Sequence, residues 1–343
     1  MPIPLKTVII ATRGSALALA QAHQVFDQCR AAFPGLKFEI KTIKTTGDRL
    51  QKASLAKPVE SLPKGLFTRE LEVSLLEYQS DLAVHSLKDL PTELPAGLKL
   101  GAVSKRADVR ETLIYRDADF LAAEKEKTAS PDWIPGQSAR RGLRAGSSLR
   151  DFPRGATVAT SSPRRKAQLL AQRPDLNVVE IRGNVVTRLL KLAEQPEIDA
   201  VVLAAAGLER LNFSVTPEGR LQGEAVPDGL LATILDTEIM LPCVGQGALG
   251  IEIRENDGRI DAICERLNHF NTCQCVTAER AFLKAMGGGC QSPIAAHAEI
   301  AGNRIWMRAV SFRDGAFRRV EAKRDLKEAV ALGEHLAEEL KEK

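Results

Sequence analysis

Short apolar runs alternate with helix-period segments in two separate blocks of this chain, and that rhythm restricts the fold more than any composition figure. In the first block Thr7–Thr12 reads as a strand, Leu17–Phe33 as a helix and Lys37–Thr45 as a strand. Thr68–Tyr78 follows as a helix and Asp81–His85 as a short strand. The second block runs from a strand at Thr157–Thr160 through a helix at Pro163–Gln172 to a strand at Asn177–Ile181. It closes with a helix at Val185–Glu194 and a strand at Ala200–Leu203. Alternation of this kind predicts two α/β domains with mainly parallel sheets. After Cys290 the pattern changes. Ala295–Ile300 and Arg304–Phe312 read as a hairpin around Gly302-Asn303, and a charged amphipathic helix ends the chain, which predicts a small third α+β domain. A length of 343 residues agrees with two or three domains. Gln51–Lys64 reads as a lid, and the long polar stretch Asp117–Gly155 as an excursion or a partly disordered segment.

Composition narrows the class of function. The apolar fraction of 44% and the charged fraction of 27% are those of a globular protein, and no apolar run reaches the ~20 residues that span a bilayer. The first residues lack a small-residue cleavage site and read as a first strand, so a cytoplasmic location is expected. Cys29, Cys243, Cys264, Cys273, Cys275 and Cys290 do not form a disulfide framework in a chain of this size. Cys273 and Cys275 have no second Cys/His pair at finger spacing, so no metal is expected. The net charge of +4 is modest, but arginine occurs in clusters, and its planar fork suits repeated carboxylates or phosphates. Only 4% of residues are aromatic, which leaves few stacking platforms for single-stranded nucleic acid. Small anionic ligands are the expected partners.

Open α/β sheets bind ligands at the carboxyl ends of their strands, and four of those ends carry arginine here. The first strand runs into Thr12-Arg13-Gly14-Ser15, and another into Thr160-Ser161-Ser162-Pro163-Arg164-Arg165. The second of these has small hydroxyls at a helix cap and Pro at a first helical position, the signature of an anion site. Arg182-Gly183-Asn184 follows a third strand with Arg188 one turn on, and Gly207-Leu208-Glu209-Arg210 follows a fourth. One arginine alone reads as a solvated charge, whereas repetition at one topological position predicts a crevice. His85-Ser86-Leu87-Lys88-Asp89-Leu90-Pro91 leaves a strand end beside that crevice, where a carboxylate stays ionised and can stabilise a cationic intermediate. Gly287-Gly288-Gly289-Cys290 reads equally as a tight turn with an incidental cysteine or as an approachable, modified thiol.

Taken in order, these stretches resemble the porphobilinogen deaminase family nearly end to end. Ile9 to Ser15, Thr45 to Asp48, Lys64 to Phe67, His85 to Asp89, Thr160 to Arg165 and Arg182 to Asn184 carry the likeness. Ala206 to Arg210, Val244 to Ala248 and Gly288 to Gln291 complete it. The resemblance implies two periplasmic-binding-protein-like α/β domains with a hinge plus the small C-terminal domain. The expected boundaries are 1–103 with 248–266, then 104–247 with the 117–155 insertion, then 267–343. It also implies a transferase that condenses four porphobilinogen units with loss of ammonia, on a dipyrromethane cofactor joined to Cys290 by a thioether. Asp89 would be the catalytic carboxylate. Lys88, Asp89, Ser15, Thr160, Ser161, Ser162, Arg164, Arg165, Arg182, Gly183 and Arg188 would hold the cofactor. Arg13, Ser15, Gln21, Lys64, Phe67, Arg182, Arg188 and Arg210 would hold the substrate. A monomer is implied, with neither membrane nor nucleic acid as a partner. A solute-binding protein for organic anions and the sensing half of a transcription regulator share the two-domain pattern. The first has no need for a Gly-rich cysteine loop, and the second would place a helix-turn-helix before the first strand.

Overall fold

The computed structural model describes residues 7–47, 68–127, 140–289 and 292–342. Three sheets organise them. The first has the order β2-β1-β3-β12-β4, from β1 (Val8–Arg13), β2 (Phe38–Ile43), β3 (Leu82–Ser86), β4 (Leu98–Val103) and β12 (Leu249–Arg254). The second has the order β11-β5-β8-β6-β7. It is built from β5 (Glu111–Arg116), β6 (Thr157–Ala159), β7 (Asn177–Val179), β8 (Ala200–Ala204) and β11 (Leu230–Leu235). Beside it β9 (Ser214–Val215) and β10 (Leu221–Gln222) form a small ribbon. The third sheet is β13 (Ile294–Ala301), β14 (Arg304–Ser311) and β15 (Arg318–Asp325), antiparallel throughout.

The helices cover the faces that the strands leave apolar. α1 (Ala16–Ala32) and α7 (Gly258–Leu267) bury Val25, Cys29, Ile260 and Ile263 against Val8, Ile10, Val84 and Ile251 on one face of the first sheet. α2 (Arg69–Leu76) places Leu71 and Leu75 on the other face, over Ala11 and Ala83. Successive residues of β5 point to opposite faces. Leu113 and Tyr115 therefore join one core with Leu169 of α4 (Pro163–Gln172), while Ile114 joins the other with Leu189 and Leu192 of α5 (Val185–Glu194). α6 (Ala205–Arg210) follows β8 directly. α8 (Phe270–Ala285) and α9 (Ala329–Glu342) pack together on the third sheet around Phe282, Leu332 and Leu336. Among the described residues, no helix is long and apolar enough to cross a membrane.

Expectation and structure differ in two places, and in a third the structure favours one of the two expected alternatives. Neighbouring strands are parallel in only part of each sheet, because one strand in each runs against the rest. β12 is antiparallel to β3 and β4, and β5 is antiparallel to β8 and β11. Both reversed strands are those by which the chain enters from the other sheet, so the direction follows from the crossing. The expected C-terminal hairpin is two strands of three. Of the Asp117–Gly155 stretch, the described part is an ordered excursion. α3 (Ala118–Lys127) opens it, Leu143 bridges Asp117, and Leu149 and Phe152 are buried with Tyr115.

Two segments, 104–110 and 236–248, carry the chain between the first and second sheets, and they are tied to each other. Gln246 Nε2 donates to the Val109 carbonyl (2.7 Å), and Arg106 Nε donates to the Gln246 carbonyl (2.8 Å). Gly247, at φ +84°, presses so close to the Ala107 carbonyl that an added Cβ would lie 2.7 Å from its oxygen, and only glycine fits there. Glu279 of α8, fully buried, then joins the third domain to both crossings. Its carboxylate accepts from Arg106 Nη1 (2.6 Å) and Nη2 (3.0 Å), from Gly245 N (2.7 Å) and from Ala298 N (2.8 Å). Removing the carboxylate leaves Arg106 almost buried and without its ion partner. Glu279→Ala is therefore expected to cost about 3–5 kcal/mol in urea unfolding.

His297 of β13 supplies a pH-dependent counterpart. Arg308 Nη2 lies 3.5 Å from its Nδ1, and a guanidinium can only donate, so Nδ1 accepts and the imidazole is neutral with its proton on Nε2. Burial, together with the charges of Arg106 and Arg308, pushes its pKa down to about 3. The unfolded chain therefore takes up a proton below the ordinary value of 6.5 that the folded chain refuses. This contribution is whole above pH 6.5 and is lost as the pH falls toward 3. Urea unfolding of His297→Gln across that range is expected to show a shallower loss of stability than the parent.

Candidate functional site

The site is built where the two large sheets face each other across the crossings. At the end of β1, Thr12 is buried and its hydroxyl donates to the Ala18 carbonyl (3.1 Å). Ser15 caps α1 by accepting from Ala18 N (3.2 Å). Arg13, between them, is half-buried. One turn into α1, Gln21 is buried, and its Nε2 donates to Ser86 Oγ (2.8 Å). Gln21 therefore braces the end of β3 and reaches the site through Ser86.

β3 ends in a short 3-10 turn, Leu87–Asp89, fixed from several sides. Leu87 is buried and its N–H donates to the Ala248 carbonyl (3.0 Å). Arg280 of α8 donates to the carbonyls of Leu90 (3.1 Å) and Pro91 (2.6 Å) just beyond the turn. Beneath it His85 Nε2 lies 2.9 Å from Glu252 Oε2, both buried. On this anchored backbone Asp89 is exposed and Lys88 half-buried. Lys88 Nζ reaches Gln246 Oε1 at 3.5 Å. Burial pushes the Lys88 ammonium below its ordinary value; Asp89 pulls it back, and Arg165 adds to the fall.

The second sheet supplies the cations. Thr160 is buried, and its Oγ1 accepts from Ser162 N (3.2 Å). The Ser161 hydroxyl donates to the Ile181 carbonyl, and Ser162 caps α4 with Pro163 in its first turn. Arg164 and Arg165 then turn inward, and each donates to one oxygen of the fully buried Glu111, at 2.5 and 2.7 Å. Arg188 of α5 donates through Nε to the Gly183 carbonyl (2.8 Å). Burial, and then the charge of Arg165, lowers its guanidinium. Lys88 and Arg188 are thus each brought within electrostatic reach of Arg165, with Asp89 beside Lys88.

Other members of the expected arginine ladder stand differently. Arg182 is exposed and pairs with Glu180 (3.0 Å). Arg210 donates to the Gly247 carbonyl (2.7 Å), so it braces a crossing, and burial lowers its pKa to about 10. Arg164 and Arg165 are held by an internal carboxylate that the motif reading did not include. Cys290, Lys64 and Phe67 lie outside the described residues, although the flanks of Cys290 are joined by a hydrogen bond from Ser292 N to the Gly289 carbonyl (2.9 Å). Glu111, Gln246, Arg280 and the Arg106–Glu279 pair escaped the sequence reading. A signal existed for Glu111: an acid stands directly before the apolar run Thr112-Leu113-Ile114-Tyr115, at the mouth of a buried strand.

In chemical terms, the arrangement sets an exposed carboxylate on a rigid turn beside cations whose geometry is fixed from behind. It can bind anionic groups and stabilise a cation that forms next to Asp89. The Nε groups of Arg164, Arg165 and Arg210 are buried and find no acceptor among the described residues, which leaves donor capacity suited to a ligand with several carboxylates.

Comparison with known proteins gives consistent matches. The family described as "Porphobilinogen deaminase, dipyromethane cofactor binding domain" matches residues 8–262, and "Porphobilinogen deaminase, C-terminal domain" matches residues 273–342. A chloroplastic porphobilinogen deaminase of Euglena gracilis is 41% identical over 304 residues, which is 89% of this chain and 55% of that one. The chain thus spans little more than half of that relative's length. A porphobilinogen deaminase of Desulforamulus reducens is 38% identical over 335 residues, covering 97% of this chain and 94% of the relative. Solved structures include the BenM effector-binding domain with benzoate, at 15% identity and a TM-score of 0.37 over 76% of this chain and 90% of that one. YhfZ from Shigella flexneri stands at 14% and 0.35 over 82% and 92%. Likeness of that order adds nothing to the strand order given above.

Gly183 offers a direct test of the local geometry. Its φ is +116°, and an added Cβ would lie 2.7 Å from Thr187 Cγ2 in the first turn of α5. Gly183→Ala is expected to cost about 1–3 kcal/mol in urea unfolding. The variant also disturbs the carbonyl that holds Arg188.

Proposed function

The chain belongs to the porphobilinogen deaminase family, and on that premise we propose that it condenses four porphobilinogen molecules head to tail, releasing ammonia and yielding the linear hydroxymethylbilane. At each addition the aminomethyl C–N bond breaks and ammonia departs with the bonding pair. The methylene carbon so left forms a C–C bond to the free α-carbon of the ring already in place, and that ring loses its proton there. After the fourth addition water releases the chain, its OH going to the product and its proton to the ring left behind. Cys290 would hold a dipyrromethane through a thioether, and that group would supply the pyrrole carbon on which the chain starts.

Asp89 carries the reading. It is exposed at the end of a turn that Ala248 and Arg280 hold in place, next to Lys88, which in turn lies within electrostatic reach of Arg165. A carboxylate so placed hydrogen-bonds pyrrole N–H groups and offsets the positive charge that develops as ammonia leaves. Lys88, Arg165 and Arg188 hold acetate and propionate groups of cofactor and substrate, and Arg164 steadies them from behind. The binding roles of Arg13, Ser15, Thr160, Ser161, Ser162 and Arg182, and those of Lys64 and Phe67, are part of the same proposal. Permanently charged, bidentate donors suit a product that gains two carboxylates with every ring.

Intact mass spectrometry tests the tether. A mass excess equal to a dipyrromethane is expected on the parent chain and absent from Cys290→Ser; an active parent without it would overturn the attachment. Asp89→Ala is expected to lower kcat by at least ~10²–10³-fold while the mass excess persists. Turnover at the parent rate in that variant would remove Asp89 from the mechanism.

A further inference from the structure

Glu111 stands at the first position of β5, where the first crossing enters the second sheet, and its side chain has no exposed surface. Each of its oxygens takes one guanidinium, and each guanidinium is also held from elsewhere. Arg164 Nη1 donates to the Leu241 carbonyl (2.7 Å) and Arg165 Nη1 to the Val202 carbonyl (2.8 Å). The Arg165 fork is therefore spanned between two strands and the Arg164 fork between a strand and the second crossing. Rotamers fixed in this way lose little further freedom when a ligand arrives.

The charges explain why a buried acid is needed there. Lys88 from the first sheet and Arg188 from the second each lie within electrostatic reach of Arg165. Glu111 is within reach of Arg165, Arg164 and Lys88, and burial removes the water that would screen them. Burial also works to raise the Glu111 carboxyl, yet Arg165, Arg164 and Lys88 outweigh it and hold the group well below the usual carboxylate range. It is a permanent anion inside the cation cluster.

We infer that Glu111 is the positioning residue of the anion crevice, fixing the Arg164 and Arg165 guanidiniums and offsetting the mutual repulsion of the cations before a ligand carboxylate enters. The inference rests on the reading of that crevice as the porphobilinogen site. Glu111 touches no ligand; it acts through Arg165.

The test is a double-mutant cycle between Glu111→Gln and Arg165→Gln in the full chain, read by steady-state kinetics with porphobilinogen. Glu111→Gln keeps the shape and removes the charge. With Arg165 present it is expected to raise KM about tenfold or more, with a smaller effect on kcat. In the Arg165→Gln background the same change is expected to add less than about twofold. A KM within about twofold of the parent, or an equal penalty in both backgrounds, overturns the inference, because a residue that only supports the fold would act without regard to Arg165. Should Glu111→Gln be recovered unfolded, Glu111→Asp, which keeps the charge and shortens the reach, decides by the same cycle. A KM raised about threefold with Arg165 and unchanged without it supports the role, and an unchanged KM with Arg165 present overturns it. A second measurement needs no turnover: phenylglyoxal modification of Arg165, followed by peptide mass mapping. Loss of the Glu111 clamp is expected to speed it about fivefold, and an unchanged rate overturns the inference. A parent chain that forms no tetrapyrrole would refute the proposed reaction, while the modification rates would still decide on Glu111.

Discussion

Everything on the two large sheets is referred to one buried ion pair, Arg106 with Glu279. The carboxylate accepts from both terminal nitrogens of Arg106 on the first crossing, from Gly245 N on the second and from Ala298 N on the third sheet. Three chain regions that are distant in sequence thus share one anion with no surface. A buried charge of this kind persists only when its bonding capacity is filled, and here four donors fill it. The turn bearing Lys88 and Asp89 is attached to the same joint through Gln246 on one side and through Arg280, the residue after Glu279 on α8, on the other.

The same solution recurs at Glu111, with a different consequence. Glu279 has its donors fixed in number and position, and the pair is complete. Glu111 has two cations to its one charge, and Lys88 and Arg188 add to the excess. The first pair closes a structural joint, whereas the second leaves positive potential uncompensated in the protein itself. That surplus is what an anionic chain growing between the sheets would neutralise.

The sequence allowed the helices that abut the site to be read closely. The Pro163–Gln172 and Val185–Glu194 helices stand at the residues expected, because Ser162 with Pro163 and Asn184 with its capped turn announce their starts. Strands β5 and β12 were not legible, since a strand that is buried on both faces shows no alternation to detect. The reversed direction of β5 and β12 depends on which sheet the chain enters, and no local pattern records that. For the site, the motifs located the strand ends but not the destinations of the side chains. Arg182 and Arg165 both follow strand ends, the first in a loop and the second inside α4; one lies in solvent on Glu180 and the other is buried on Glu111. The difference comes from a residue on β5, some fifty positions away from Arg165, and such a partner is invisible without the sheet order.

The division of the site between sheets sets the conditions for its chemistry. Asp89 and Lys88 ride on the first sheet and Arg164, Arg165 and Arg188 on the second; the two crossings join the sheets, and α1 also touches α6. A rotation of one sheet about those crossings changes the distance from Asp89 to Arg165 without disturbing either cluster internally, because each is braced within its own sheet or from a crossing. The third domain is held to the crossings by Glu279 and to the turn beside Asp89 by Arg280, so in such a rotation it would move with them. A group tethered beyond α8 would then keep its origin at the hinge while the two walls of the crevice separate. Space for added rings would thus come from moving the walls, leaving both the tether and the carboxylate where the turn and the joint have put them.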